Sequence, residues 1–142
     1  MVPSKILVPV DGSTYSKKAL EQAVSIAKGT GASVTAFHVI EKPPTVYVES
    51  QKVLNDAMAK YRSESARMLD ECKAIAEGLG FKIGTAIMEG DPAAGIVAFC
   101  EKGGFDLIAM GSRGHSKLKE MVLGSTSHKV LHRARCSVLI VK

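Results

Sequence analysis

The chain has 142 residues, 46% hydrophobic and 5% aromatic with no tryptophan, which suits a single domain over 1–142 with an aliphatic core. No apolar run approaches the roughly 20 residues that span a bilayer, the start Met1-Val2-Pro3-Ser4-Lys5 lacks a signal-peptide layout, and three scattered cysteines (Cys72, Cys100, Cys136) argue against a disulfide framework and for a reducing cytoplasm. The formal net charge of +5 resides in the segment 111–135, where Arg113, Lys117, Lys119, Lys129, Arg133 and Arg135 face Glu120 alone; a field of that sign favours an anionic ligand.

Apolar β-branched runs alternate with helical periodicity along the chain. Lys5 to Val10 reads as a strand, and Ala19, Leu20, Ala23, Val24 and Ala27 mark a helix over Tyr15 to Lys28. Gly29-Thr30-Gly31 ends that helix before a second strand, Ala32 to Ile40. Glu41 to Ser50 is polar and proline-containing, a loop. Leu54, Met58, Tyr61, Met68, Leu69, Cys72 and Ile75 form one stripe of a long amphipathic helix over Gln51 to Gly78. A strand over Phe81 to Met88, a turn at Glu89 to Pro92 and a helix over Ala93 to Lys102 follow. A fourth strand, Phe105 to Met110, leads into glycines; a helix over Leu118 to Arg133 and a strand over Ser137 to Val141 close the chain. Continuous apolar strands joined by helices imply a parallel α/β sheet covered on both faces. Ligands bind such sheets beyond the carboxyl ends of the strands, where strand order reverses.

Two stretches fall at such ends. The first is Pro9-Val10-Asp11-Gly12-Ser13. Proline removes a ladder donor and is tolerated near a strand end, where its ring can pack on a flat ligand. Asp11 can accept from a ribose or cap the next helix. Val39, closing the second strand, can offer main-chain groups to a base edge or serve as core. The second stretch is Met110-Gly111-Ser112-Arg113-Gly114, followed after nine residues by Gly124-Ser125-Thr126-Ser127. Glycine permits left-handed dihedrals and lets a ligand reach main-chain N–H groups, and a helix N-terminus favours anions. A phosphate-binding loop competes here with a tight strand-to-helix turn, and the hydroxyls of Ser125, Thr126 and Ser127 with an N-cap role. Arg113 can reach an anion or solvent.

Other signatures are missing. The chain has no G-x-x-x-x-G-K-[ST], no dinucleotide fingerprint after a strand and no G-x-S-x-G nucleophile elbow. A phosphoreceiver would pair acids after the first strand, whereas Asp11 stands alone. His128 and His132 share a helix face, but no acid or second cysteine beside Cys136 completes a metal site. The basic segment lacks the aromatic platform expected of a nucleic-acid binder. No general base sits beside a hydroxyl donor, so no catalytic residue is assigned.

The motif G-x2-G-x9-G-[ST], met by Gly111, Gly114, Gly124 and Ser125 and flanked by Lys5 to Ser13 and Ser137 to Val141, resembles that of universal stress proteins of the single-domain, ATP-binding type. The resemblance implies a three-layer, Rossmann-like (adenine nucleotide alpha hydrolase-like) fold with a five-stranded parallel sheet of order 3-2-1-4-5, and a homodimer through Ser137 to Val141. It implies that Pro9, Val10, Asp11 and Val39 surround adenine and ribose. Met110, Gly111, Ser112, Arg113, Gly114, Gly124, Ser125 and Thr126 would then hold the phosphates of ATP (ADP and AMP being alternatives) with Mg²⁺ or Mn²⁺. The implied function is a cytoplasmic, nucleotide-dependent stress or signalling switch acting on an unidentified protein partner. A slow ATPase or self-phosphorylating protein is the alternative, and an interaction protein with an empty loop the third reading.

Overall fold

In the computed structural model, which describes residues 2–43, 50–115 and 123–142, Ile6, Leu7 and Val8 are completely buried. They belong to the central strand β1 (Lys5–Pro9), the middle member of a five-stranded sheet of order β3-β2-β1-β4-β5. The other strands are β2 (Ser33–Ile40), β3 (Gly84–Glu89), β4 (Leu107–Gly111) and β5 (Ser137–Val141), and every pairing is parallel. The expected sheet order is the observed one.

Successive residues of a strand face opposite sides, so each strand feeds two cores. Ile6, Val8, Val34, Ala36, Leu107 and Ala109 pack against α1 (Thr14–Thr30) and α2 (Gln51–Gly78). Leu7, Phe37, Val39, Ile108 and Met110 pack against α3 (Pro92–Gly103) and Val130 of α4 (Ser125–Arg133). The second core is less aliphatic than composition suggests. Phe37, fully buried, stacks on Phe99 with centroids 4.3 Å apart, and Phe99 continues to Phe105 at 5.7 Å. Three of the chain's four phenylalanines thus meet in this one layer.

The helix ends follow from local chemistry. Ser13 Oγ accepts from the Ser16 amide (3.2 Å) at the start of α1, and Gly31, at φ 78°, closes it in the left-handed conformation. Asp91 accepts from the Ala94 amide (2.9 Å) with Pro92 in the first turn of α3, and Gly104, at φ 67°, ends it. Two expected elements differ. Phe81 and Ile83 pack on the α1–α2 core from outside the sheet, and the Phe81 amide bonds Ala76 O at the end of α2 (2.9 Å), so β3 begins at Gly84. Helix α4 begins at Ser125 rather than Leu118, because Gly124 is an extended N-cap whose amide donates to Ser112 O at 2.6 Å. Leu118 itself lies outside the described residues.

Pro9 shapes what happens beyond the strands. The Val10 amide donates to Phe37 O of β2 (2.8 Å), so by the alternation of a parallel strand Pro9 turns its donorless nitrogen towards β4. Pairing of β1 with β4 is restricted to Ile6 and Leu7, whereas pairing with β2 runs from Lys5 to Pro9. β1 and β4 therefore part near their carboxyl ends, at the point where strand order reverses.

Candidate functional site

A cleft of about 650 Å³ opens there. Its floor is Pro9, Val10 and Asp11 after β1 and Phe37 to Glu41 at the end of β2; Tyr61, Glu64 and Ser65 of α2 line it, as do Pro92 and Ile96 at α3. Met110 and Gly111 at the end of β4, Arg113, Gly114 and His115 beyond it, and Gly124 to Ser127 at α4 complete it. The structure thus brings eleven of the twelve residues singled out in the sequence to one cleft. The twelfth, Ser112, is buried at 3% exposure: its amide donates to Val141 O of β5 (2.8 Å) and its carbonyl accepts from Gly124 N. Ser112 is the knot that holds the two glycine clusters together.

The three motif glycines do not take left-handed dihedrals; positive φ occurs instead at Gly12, Gly31, Gly80, Gly90 and Gly104 among the described residues. What they supply is room. A Cβ on Gly111 would lie 2.7 Å from Tyr15 Cβ and 2.8 Å from its carbonyl carbon, so Gly111 lets β4 press against the first turn of α1. A Cβ on Gly114 would lie 2.5 Å from Asp11 Oδ2, so Gly114 lets the second loop pass over the first. A Cβ on Gly124 would meet Arg113 Cα and Ser112 O at an ordinary 3.4 Å.

Asp11 does not cap α1. Its Oδ1 accepts from the Ser13 amide (2.9 Å) in a local turn, and Ser13 does the capping. The Asp11 amide in turn donates to Ser16 Oγ at 3.4 Å. Ser127 Oγ donates to Gly111 O at 2.8 Å, tying the first turn of α4 to the end of β4. Gly124 provides no side-chain cap, and the first helical hydrogen bond is His128 N to Gly124 O at 2.9 Å. The amides of Ser125, Thr126 and Ser127 therefore have no intrahelical acceptor, at the end of the helix that carries partial positive charge. Ser125 and Thr126 themselves line the cleft. This is an anion-binding geometry.

Two histidines line the cleft as well. His38 Nδ1 lies 2.7 Å from Val10 O and His115 Nε2 lies 2.6 Å from Asp11 O. A carbonyl can only accept, so each of these nitrogens carries hydrogen. His38, Tyr61, Glu64, Ser65 and His115 are among the cleft residues that sequence reasoning missed. A histidine inside the apolar run Phe37 to Ile40 was the available signal for the first; nothing in the sequence announced which turn of α2 would close over the cleft.

The basic excess of the segment 111–135 is divided by the fold. Arg113 lines the cleft, whereas Arg135 lies at the far end of α4 and pairs with Glu101 at 3.5 Å. Lys117, Lys119 and Glu120 lie outside the described residues. His128 and His132 lie side by side with their rings tilted, centroids 4.5 Å apart, but Cys136 contacts Cys100 instead, and among the described residues no group of three ligating side chains could hold a metal ion.

A glycine-cradled cleft at the switch point of a 3-2-1-4-5 sheet coincides with family-level similarity along the chain. The model of the universal stress protein family matches residues 3–142. The chain belongs to the universal stress protein family. Among universal stress proteins it is similar to MJ0531 of Methanocaldococcus jannaschii, 38% identical over 97% of this chain and 81% of that one. The solved structure of MJ0577 from the same organism superposes with a TM-score of 0.88 at 32% identity, over 100% of this chain and 97% of that one. A universal stress protein crystallised in complex with cAMP shares the fold, with a TM-score of 0.72 at 24% identity over 100% of this chain and 98% of that one. Among the described residues no helix is long and apolar enough to cross a membrane.

Proposed function

We propose that this universal stress protein binds ATP in the cleft between β1 and β4 and acts as a nucleotide-dependent switch. The observation that carries the reading is the N-terminus of α4 without a side-chain cap, whose first residues line the same cleft as Arg113 and the cradle of Gly111 and Gly114. The adenine nucleotide in the cAMP complex of the related fold supports the ligand class. Adenine and ribose would lie over Pro9, Val10, Asp11 and Val39, and the phosphates would reach Met110 to Gly114 and Gly124 to Thr126. Mg²⁺ or Mn²⁺ would arrive on the phosphates. The oxygen donors here, Asp11 Oδ2 and the hydroxyls of Ser125 and Thr126, suit such hard cations.

The reading is retention rather than turnover. Both cleft histidines already donate a ring N–H to a backbone carbonyl, and Asp11 uses one oxygen on Ser13. β5 is an edge strand, paired only with β4 among the described residues. Its apolar sequence Ser137-Val138-Leu139-Ile140-Val141 supports a homodimer through that edge, which would leave the α2 side open to a protein partner. Three free thiols accord with a reducing, cytoplasmic setting.

The test is to denature freshly purified protein and identify what it releases by chromatography, then to melt the emptied protein with and without Mg-ATP. We expect an adenine nucleotide near one per chain. A ligand at a hundred times its Kd adds about 2.7 kcal/mol to stability, so the emptied protein should melt several degrees higher with ATP. Protein that releases no nucleotide and whose melting ATP does not move would contradict the reading.

A further inference from the structure

At the opposite end of the sheet, before the first residues of β4 and β5, a smaller cleft of about 330 Å³ is lined by Val97, Cys100, Glu101, Phe105, Ala134 and Cys136 among others. The two cysteines come from different elements, Cys100 from α3 and Cys136 from the connection between α4 and β5. Both are free thiols, and their sulfurs are 3.3 Å apart. A disulfide requires about 2.05 Å, and at 3.3 Å the two sulfurs are already in direct contact.

The two thiols differ in a way that assigns an order to their chemistry. Cys100 is buried at 4% exposure and its S–H donates to Phe105 O at 3.5 Å. Burial foremost, then the hydrogen bond with Cys136, pushes the Cys100 thiol up to about 12, so on its own it is a poor nucleophile near neutral pH. Cys136 is half-exposed and lines the cleft, which gives a small oxidant a route to it. Cys72 offers no competing partner: it lies in the α1–α2 core, on the other face of the sheet from Cys100 and Cys136.

We propose that Cys100 and Cys136 are a reversible oxidation site at which hydrogen peroxide forms an intramolecular disulfide. Cys136 sulfur attacks a peroxide oxygen; the S–O bond forms, the O–O bond breaks, and the departing oxygen leaves as water after taking a proton. Cys100 sulfur then attacks the Cys136 sulfenic sulfur. The S–S bond forms, the S–O bond breaks, and the second oxygen leaves as water with the Cys100 proton. Two thiols are oxidised by two electrons in all, one peroxide is reduced to two waters, and a thiol reductant reverses the change. The closed loop from 100 to 136 contains β4, the glycine cluster and α4. Oxidation would therefore tie together both ends of the segment that builds the main cleft. The chemistry stands whether or not that cleft holds nucleotide.

The test treats the reduced full-length chain with hydrogen peroxide in modest excess, alkylates remaining thiols and maps the unreduced digest by mass spectrometry. The expected product is a Cys100–Cys136 linked peptide pair, two hydrogens lighter than its parts, with Cys72 alkylated and the link lost on dithiothreitol treatment. In Cys100→Ala the link is absent and dimedone captures a sulfenic acid on Cys136; in Cys136→Ser the link is absent and Cys100 remains an alkylatable thiol. Should the core variant fail to fold, the wild-type map still decides. Sulfinic or sulfonic acid on Cys136 with Cys100 fully alkylated, or Cys136-linked dimers as the sole disulfide product, would overturn the proposal.

Discussion

Gly111, Gly114 and Gly124 lack the same atom for different reasons, and substitution should separate them. In Gly111→Ala the new methyl meets the Tyr15 backbone at 2.8 Å, which cannot move without α1. We expect a loss of about 2 kcal/mol in urea unfolding, typical of overpacking against a rigid neighbour. Gly114→Ala meets a side-chain oxygen instead, Asp11 Oδ2. It should leave the unfolding midpoint nearly unchanged while weakening ATP binding in a titration. Ser127→Ala removes the hydroxyl that holds Gly111 O and should cost about 1 kcal/mol. The glycine spacing was legible in the sequence because glycines bunched beyond a buried strand mark a place where backbone is closely approached. Their individual reasons were not legible, since Tyr15 and Asp11 lie about a hundred residues away along the chain. Ser112 shows the same limit: its neighbours in sequence suggested contact with ligand, and only the tertiary bonds to Val141 and Gly124 reveal a buried knot.

Between elements, the clasp of Asp106 on the first residues of β1 makes a pH-dependent prediction. Asp106 Oδ1 and Oδ2 accept from the Ser4 amide at 3.1 and 2.9 Å, Oδ2 from Ser4 Oγ at 2.8 Å and Oδ1 from the Lys5 amide at 3.1 Å. These bonds, the Ser4 amide foremost, hold the carboxyl below its ordinary 3.8 against a smaller opposing effect of desolvation. A lowered folded-state value stabilises the fold above the unfolded value and ceases to do so as pH falls through the folded one. Asp106→Ala should therefore be less stable than wild type by about 1 kcal/mol near neutral pH, solvent screening keeping the figure modest. The gap should begin to narrow in denaturant titrations as pH falls below the ordinary 3.8 and close only once pH has passed the lower folded-state value. Helix α2 was readable to its ends, Gln51 and Gly78, because a long uninterrupted stripe leaves little freedom in register. The start of α4 was not. The expected start at Leu118 lies outside the described residues, and the onset at Ser125 goes with an extended Gly124 whose amide donates to Ser112 O, a contact that periodicity cannot register.

For the molecule as a whole, the placement of the cleft follows from one residue and one topological fact. Pro9 withholds a donor from the β4 side of the central strand, and the chain reverses its order of strand addition between β1 and β4. The sheet order was inferred from family resemblance; the alternation of apolar runs and amphipathic helices by itself gave only a parallel sheet with helices on both faces. The wall contributed by Tyr61, Glu64 and Ser65 depends on how α2 returns over the sheet, which its buried Leu69, Cys72 and Ala76 set by packing in the core, with Arg62 pairing with Glu89 at the end of β3 at 2.6 Å. The adenine-nucleotide site we propose on the glycine loop is tested without intermediaries by a calorimetric titration of Mg-ATP into wild type and Gly124→Val. A Cβ at position 124 is tolerated by its neighbours, whereas the branched methyls would enter the phosphate end of the cleft. We expect saturable binding near one ATP per chain in wild type, and none in the variant despite unchanged circular dichroism. Equal binding by both proteins, or no binding by wild type at millimolar ATP, would contradict that assignment.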